Sequence, residues 1–296
     1  MQLTILGTSA TVPTKERNHS GYLLTYDAEG LLFDCGEGIQ RQMKIAGISF
    51  SKITKILISH WHGDHILGLP GLLQSMAMHE YTKNLHIYGP PGSEEKFKKL
   101  LEAFESSYQI EATMHDIKEG KIIDNKDFYV EAYPLAHGTK CYGYRFIEKD
   151  KRRIKMSAVK KLGIPEGPLI GKLQQGQAIT VKGKKIMPDM VSTLIKGRVF
   201  GYISDTRPNK GCYQIANEAD VLLCESTYIS DEKAKAEEYK HMTADEAAQI
   251  ASQANAKKLI LTHISARYKD AHVLEAEART IFDNSFAAKD FMKIIL

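Results

Sequence analysis

Ile56-Leu57-Ile58-Ser59-His60-Trp61-His62-Gly63-Asp64-His65 is the stretch from which the rest of the chain is read. The apolar run Ile56-Leu57-Ile58 has the character of a buried strand. It is followed by three histidines and one aspartate within the six residues 60–65. A strand that ends and then presents His, His, Asp and His aims imidazoles and a carboxylate into one small volume. Imidazole nitrogen and carboxylate oxygen are the usual ligands of zinc in hydrolytic sites. A surface loop that is histidine-rich by chance would lack further ligands in matching contexts, and such ligands occur downstream.

Working outward, the N-terminal half reads as strands and helices in quick succession. Gln2–Leu6, Gly21–Tyr26, Leu31–Asp34 and Thr54–Ser59 are predicted strands, with a turn at Asp27–Gly30. Ile39–Ile45 is a predicted helix stopped at Gly47, and Leu67–His79 is an apolar helix behind the histidine cluster. Leu85–Tyr88 is a strand. Residues 93–106 form an amphipathic helix with Ser93 as its N-cap. Further strands are expected at Phe128–Ala136, Tyr142–Ile147, Val199–Ser204, Asp220–Cys224, Lys258–Thr262 and Phe291–Ile295. Thr243–Asn255 is an Ala-rich helix with a Thr243/Glu246 capping box, and a last helix lies near His272–Asp283. Strands first, then strand and helix in alternation, imply an α/β fold with helices outside two packed sheets.

His60, His137, Asp205, Glu225 and His263 each follow an apolar strand in this reading. Polar residues in that position can converge at one rim of a sheet, where α/β folds place their sites. One such residue is usually a turn former. Five, with the histidine cluster among them, point to a metal centre.

Composition sets the remaining bounds. The chain has 296 residues, room for one large α/β domain or two small ones. No apolar run approaches the length of a membrane span, so the reading is a cytoplasmic protein without membrane contact. The cysteines Cys35, Cys141, Cys212 and Cys224 are scattered and read as buried, reduced thiols. Between Glu148 and Lys196, twelve Lys or Arg face four Asp or Glu, a local surplus of +8 in a chain of net +4. A basic segment on a slightly acidic body suggests a polyanionic partner. Within it, Gly163-Ile164-Pro165-Glu166-Gly167-Pro168-Leu169-Ile170-Gly171 is too rich in Gly and Pro for a core element.

His60-x-His62-x-Asp64-His65 with His137, Asp205 and His263 resembles the metallo-β-lactamase superfamily and, more narrowly, the ribonuclease Z family of tRNA 3′-endonucleases. The resemblance spans essentially the whole chain. Pro13-Thr14-Lys15-Glu16-Arg17-Asn18 matches that family's PxKxRN loop, and Gly167-Pro168-Leu169-Ile170-Gly171-Lys172-Leu173 matches the glycine–proline motif of its arm. His241-Met242-Thr243-Ala244, Glu225-Ser226-Thr227 and Thr262-His263-Ile264-Ser265-Ala266-Arg267-Tyr268 resemble its remaining motifs. Trp61, Met242 and Cys224-Glu225-Ser226 depart from its usual residues without removing a ligand.

The resemblance implies a four-layer αββα metallo-β-lactamase-like sandwich over residues 1–296, with a protruding basic arm inserted at 148–196. It implies two zinc ions, one on His60, His62 and His137, the other on Asp64, His65 and His263, with Asp205 bridging. Two divalent ions about 3.5–4 Å apart can clamp both oxygens of an in-line displacement. Asp64 would also orient and deprotonate the attacking water; His241 would meet developing charge, with Glu225 fixing its ring. Asp34 is read as holding a ligand histidine by a hydrogen bond. Lys15, Arg17, Asn18, Ser265 and Arg267 would contact RNA backbone near the cut, and Gly167 and Pro168 would contact it through the arm. The implied reaction removes the 3′ trailer of precursor tRNA, and the implied assembly is a homodimer in which one subunit's arm grips RNA cut by the other. A small-molecule hydrolase of the same superfamily needs neither the basic arm nor the PxKxRN-like loop.

Overall fold

In the computed structural model, which describes residues 1–105 and 110–296, two seven-stranded sheets dominate. The first runs, in spatial order, Lys293–Ile295, Gln2–Gly7, Gly21–Tyr26, Glu29–Phe33, Lys55–Leu57, Leu85–Gly89, Ala112–Asp116. The second runs Ser285–Ala287, Leu259–Thr262, Val221–Glu225, Val199–Ile203, Lys140–Glu148, Phe128–Ala136, Gly120–Asp124. The first sheet is antiparallel at one side and parallel at the other, and the second is parallel from Val199–Ile203 to Ser285–Ala287. Glu29–Phe33 pairs in parallel with Lys55–Leu57, and Val199–Ile203 pairs in parallel with Val221–Glu225.

Central strands such as Gly21–Tyr26, Val199–Ile203 and Leu259–Thr262 are apolar on both faces because both faces are covered. On the inner faces, aromatic rings join the sheets: Tyr22 meets Tyr202 at 5.1 Å between centroids, and Phe33 meets Phe200 at 5.4 Å and Tyr144 at 5.9 Å. On the outer face of the first sheet, Leu23, Leu32 and Ile56 pack with Ile39, Met43, Leu69, Leu72 and Met76 from the helices Ile39–Ile45 and Leu69–Met78. On the outer face of the second, Leu222, Cys224, Leu259 and Leu261 pack with Ile215, Ala247, Ala248 and Ala251 from the helices Lys210–Ala216 and Ala244–Gln253. The alanines of the latter helix let it lie close to the sheet. The result is the four-layer αββα arrangement. The four cysteines are free and buried.

Cα packing divides the chain into two compact units. The first comprises 1–123, 130–146 and 199–296, and the second comprises 124–129 and 147–198. The second unit has its own small core of Val159, Ile164, Leu173, Ile179, Ile186 and Val191. Its strands pair as two short ladders, Lys151–Ile154 with Ser192–Ile195 and Ile179–Val181 with Lys184–Ile186. The Gly163–Gly171 stretch, read from sequence as unable to supply a core element, overlaps the helix Pro168–Gln174, whose Leu173 is fully buried. Pro168 sits in the first turn, where it needs no intrahelical partner.

Other boundaries shift for local reasons. The helix expected at 93–106 runs Ser93–Glu102; Ser106 lies outside the described residues. Its N-cap is Gly92, not Ser93, whose hydroxyl donates to Pro90 O at 2.6 Å. Glu225 is the last residue of its strand rather than the residue after it. The capping box at Thr243 forms as expected, with Thr243 N donating to Glu246 Oε2 at 3.1 Å. The strands Ala112–Asp116 and Gly120–Asp124, and the helices Lys210–Ala216 and Lys233–Tyr239, carry no strong periodicity and were not anticipated.

Candidate metal centre

The strand Lys55–Leu57 delivers His60 and His62 to the rim of the first sheet, and the turn of helix at Gly63–Ile66 turns Asp64 and His65 back beneath them. From the second sheet, His137 follows Phe128–Ala136, Asp205 follows Val199–Ile203, and His263 follows Leu259–Thr262. Tyr142 N donates to Ser59 O at 3.0 Å and Tyr144 Oη to Ile58 O at 2.6 Å, so the second sheet holds the histidine loop of the first.

All seven expected ligand side chains converge. Ligand atoms of His60, His62, His137 and Asp205 lie within 4.8 Å of one another, as do those of Asp64, His65 and His263. His60 Nε2 is 3.6 Å from Asp205 Oδ2, and His65 Nε2 is 3.5 Å from the same oxygen. His263 Nε2 lies 3.4 Å from Asp205 Oδ1 and 3.3 Å from Asp64 Oδ2. Asp205 therefore touches both groups. A third cluster of ligand atoms joins Asp205 and His263 to His241.

The ring nitrogens that face away from the centre are held. His60 Nδ1 is 3.0 Å from Ser59 Oγ, His65 Nδ1 is 2.8 Å from Asp34 Oδ2, and His137 Nδ1 is 3.1 Å from Lys240 O. His263 Nδ1 is 3.0 Å from Thr227 Oγ1. Such outer partners fix a ring's tautomer and direction. Asp34 is itself saturated, accepting from Ser59 N at 2.7 Å, Ser59 Oγ at 2.8 Å and Tyr202 Oη at 2.6 Å. Two residues here hold left-handed backbone, Asp34 at φ 56° and His263 at φ 55°. Side chains seldom adopt that region unless the surroundings enforce it, and the hydrogen bonds just described do so.

The electrostatics are those of a pocket short of positive charge. Burial opposes protonation of His65, but Asp205, Asp34 and Asp64 outweigh it and hold its pKa well above the ordinary value. Burial, with His65 beside it, drives His60 well below. Asp205 is buried, yet His263 and His65 keep its carboxyl well below the usual range. Among the buried side-chain atoms of the described residues, His65 Nε2 and Asp205 Oδ1 have no hydrogen-bond partner. Buried polar atoms are seldom left so. Nitrogen and oxygen atoms aimed at one point, with three carboxylates around them, suit a divalent cation.

His241 stands at the edge of the centre, with its Nδ1 3.0 Å from Glu225 Oε1. Burial lowers its basicity, but the Glu225 carboxylate outweighs this and lifts it to about 9. Glu225, fully buried, also accepts from Thr206 N at 2.8 Å and Thr227 Oγ1 at 2.8 Å. Arg207 forks onto Glu246 at 2.7 and 2.5 Å while donating to His241 O at 2.5 Å. Ser59, Thr227, Tyr202, Arg207 and the Lys240 carbonyl were given no role in the sequence reading. Hydroxyls, arginines and carbonyls in loops carry no spacing signal.

The expected RNA contacts fare differently. Thr11 N, in the loop before Pro13, donates to Asp64 Oδ2 at 2.9 Å, which sets that loop against the centre. Lys15 is exposed. Arg17 donates from its guanidinium to Tyr268 O at 2.6 Å and Lys269 O at 3.3 Å. Asn18 Nδ2 donates to Glu37 O at 2.8 Å, and Asn18 N to Asp290 Oδ2 at 2.8 Å. Arg267 donates through Nε to Ser265 Oγ at 3.2 Å and pairs with Glu232 at 2.9 Å. Gly167 and Pro168 lie in the second unit.

The geometry is matched by kinship. The chain is 42% identical to the ribonuclease Z of Archaeoglobus fulgidus over 99% of its own length and 97% of that protein's. The chain belongs to the ribonuclease Z family. The enzyme of that name from Methanothermobacter thermautotrophicus is 40% identical, with 99% and 96% covered. The crystal structure of human tRNase Z, short form, superposes with a TM-score of 0.72 at 27% identity, covering 100% of this chain and 99% of that one. Residues 173–264 match the model of the beta-lactamase superfamily domain, and residues 1–158 match that of Anti-Pycsar protein Apyc1. A hydrolytic nuclease of the metallo-β-lactamase fold, with His and Asp side chains converging on one rim, uses a metal cofactor.

Proposed function

We propose that this chain removes the 3′ trailer from tRNA precursors by hydrolysing one phosphodiester bond, leaving a 3′-hydroxyl on the tRNA and a 5′-phosphate on the trailer. The observation that carries this reading is the pair of ligand groups sharing Asp205 beside the His241–Glu225 pair, in a chain related to ribonuclease Z over its full length.

The cofactor we propose is a pair of zinc ions: His60, His62 and His137 would hold one and Asp64, His65 and His263 the other, and Asp205, in contact with both groups, would serve both. Ions in such a site acidify water and draw charge from phosphate oxygens. The remaining work falls to the chain. Asp64 aims the attacking water and accepts its proton, and the backbone N–H of Thr11 steadies that carboxylate. His241, held protonated by Glu225, donates toward the phosphate or the departing 3′-oxygen of the tRNA. Lys15 and the loops carrying Arg17, Asn18, Ser265 and Arg267 border the RNA near the cut; the internal bonds of Arg17 and Asn18 make them holders of that loop as much as phosphate ligands.

The basic second unit, with Gly167 and Pro168 at its helix start, acts as the tRNA-gripping arm. We place it in a homodimer, where one subunit's arm serves its partner's centre. No helix among the described residues is long and apolar enough to cross a membrane; the cytoplasmic location we propose follows from the kinship with tRNA-processing enzymes. The test is incubation of zinc-loaded protein with a tRNA bearing a 3′ trailer, followed by end mapping. A single cut at the end of the tRNA body with the stated termini is expected. No cut, or a 3′-phosphate on the tRNA, overturns the assignment.

A further inference from the structure

Trp61 is not a member of either ligand group. It stands between two ligand histidines and is only partly buried. Its indole N–H donates to Ser93 Oγ at 2.6 Å, and that hydroxyl donates to Pro90 O at 2.6 Å. Lys96 Nζ lies 5.8 Å from the centroid of the Trp61 ring. Lys140, three residues after the ligand His137, reaches the same turn, with Nζ 3.3 Å from Pro91 O. Both lysines are exposed, and Gly92 and Gly138 face open space. An aromatic ring and two ammonium groups therefore meet at the Pro90–Ser93 turn.

Along the chain, this surface adjoins one of the two ligand groups. Trp61 and Lys140 are chained to His60, His62 and His137, the first ligand group. The loop around Thr11, with Ser265 and Arg267, is chained to Asp64 and His263, the second group. An RNA strand cut between the two groups has to leave on both sides. Unpaired bases stack on aromatic rings while lysines follow their phosphates. The trailer is the unpaired strand that runs on beyond the cut.

We infer that Trp61, Lys96 and Lys140 form a subsite for the first trailer nucleotides, with Trp61 as the stacking platform and the lysines on the phosphates. The inference rests on the tRNA-processing reading. Its consequence is affinity that grows with trailer length and does not depend on trailer sequence.

The experiment uses full-length zinc-loaded protein and three precursors of one tRNA, with trailers of one, three and six nucleotides. KM and kcat are measured separately. In the native protein, KM falls as the trailer lengthens while kcat changes little. Lys96→Ala/Lys140→Ala and Trp61→Leu each remove about tenfold of that gain, in the range expected for one stacked base or two phosphate contacts. Trp61→Phe keeps a ring and restores most of it. The exposed lysine pair tests the idea even where Trp61→Leu folds poorly, and thermal melting identifies that case. Variants that retain the gain, or lose equally on all three trailers, overturn the subsite, as does a native KM indifferent to trailer length. Failure of the native protein to cut any precursor overturns the parent reading instead.

Discussion

The metal centre and the basic second unit are built on opposite plans. In the centre, polar side chains are buried and nearly every nitrogen or oxygen has a partner: His65 is held by Asp34, His263 by Thr227, His241 by Glu225. In the second unit, six apolar side chains make the core, and most lysines lie on the surface. Buried charge demands fixed geometry, because an unpartnered ion in a low dielectric is costly. Exposed charge demands only a surface that keeps many like charges together. The first plan suits chemistry at one atom. The second suits attraction to a phosphate backbone.

The largest effects are expected where the first plan is broken at its shared residue. Asp205→Ala removes a carboxylate that touches both candidate ligand groups, His60 in the first and His65 and His263 in the second. Bound zinc, measured by elemental analysis after gel filtration, is expected to fall below one ion per chain, and cleavage to fall to background. Retention of two ions with full turnover would falsify the shared-ligand assignment.

Next is His241→Ala. Loss of a positioned proton donor lowers kcat about 10²–10⁴-fold. Zinc content and tRNA affinity should change little, since in the proposed mechanism His241 meets charge only as the bond breaks. Glu225→Ala acts in the same direction, and the double variant should be no worse than the poorer single, because the two work as one unit. Independent, additive losses would show that Glu225 does something other than hold the His241 ring.

A smaller loss is expected one layer out. Asp34→Asn keeps the shape of the side chain but removes the negative charge facing His65. Outer partners of metal-bound histidines are worth about 10–100-fold in metal affinity or activity. Competition with a zinc chelator reads this directly; unchanged affinity would mean that the charge of Asp34 adds nothing to holding the His65 ring.

How much of this could be read in advance divides along the same line. The convergence of the candidate ligands was legible because imidazoles and carboxylates after apolar strands form a pattern: to bring His60, His137, Asp205 and His263 together, only the strand ends had to be right. The layered fold was legible for the same reason, since apolar runs such as Leu259–Thr262 have no other use than a covered sheet. The partners of the ligands were not. Thr227, Tyr202 and the Lys240 carbonyl act through tertiary placement, and their residue types are common everywhere. The second unit misled in the opposite way. Glycine and proline around Gly167 hid a real helix, because Pro168 begins it and Leu173 is its buried anchor.

The smallest effect tests the second plan without touching the first. Lys184 and Lys185 are exposed on the short strand Lys184–Ile186, whose Ile186 faces the small core. Replacing both lysines with alanine leaves that core intact, so thermal melting should be unchanged. Each lysine that meets a phosphate contributes about one unit to the slope of log affinity against log salt. The double variant should therefore bind precursor tRNA more weakly at low salt and show a slope flatter by about 2. Hydrolysis of a small activated phosphodiester should be unaltered, because it depends on the buried groups alone. A weaker affinity with an unchanged salt slope would mean that these lysines act through shape rather than charge, and the contrast between the two plans would then fail at its electrostatic half.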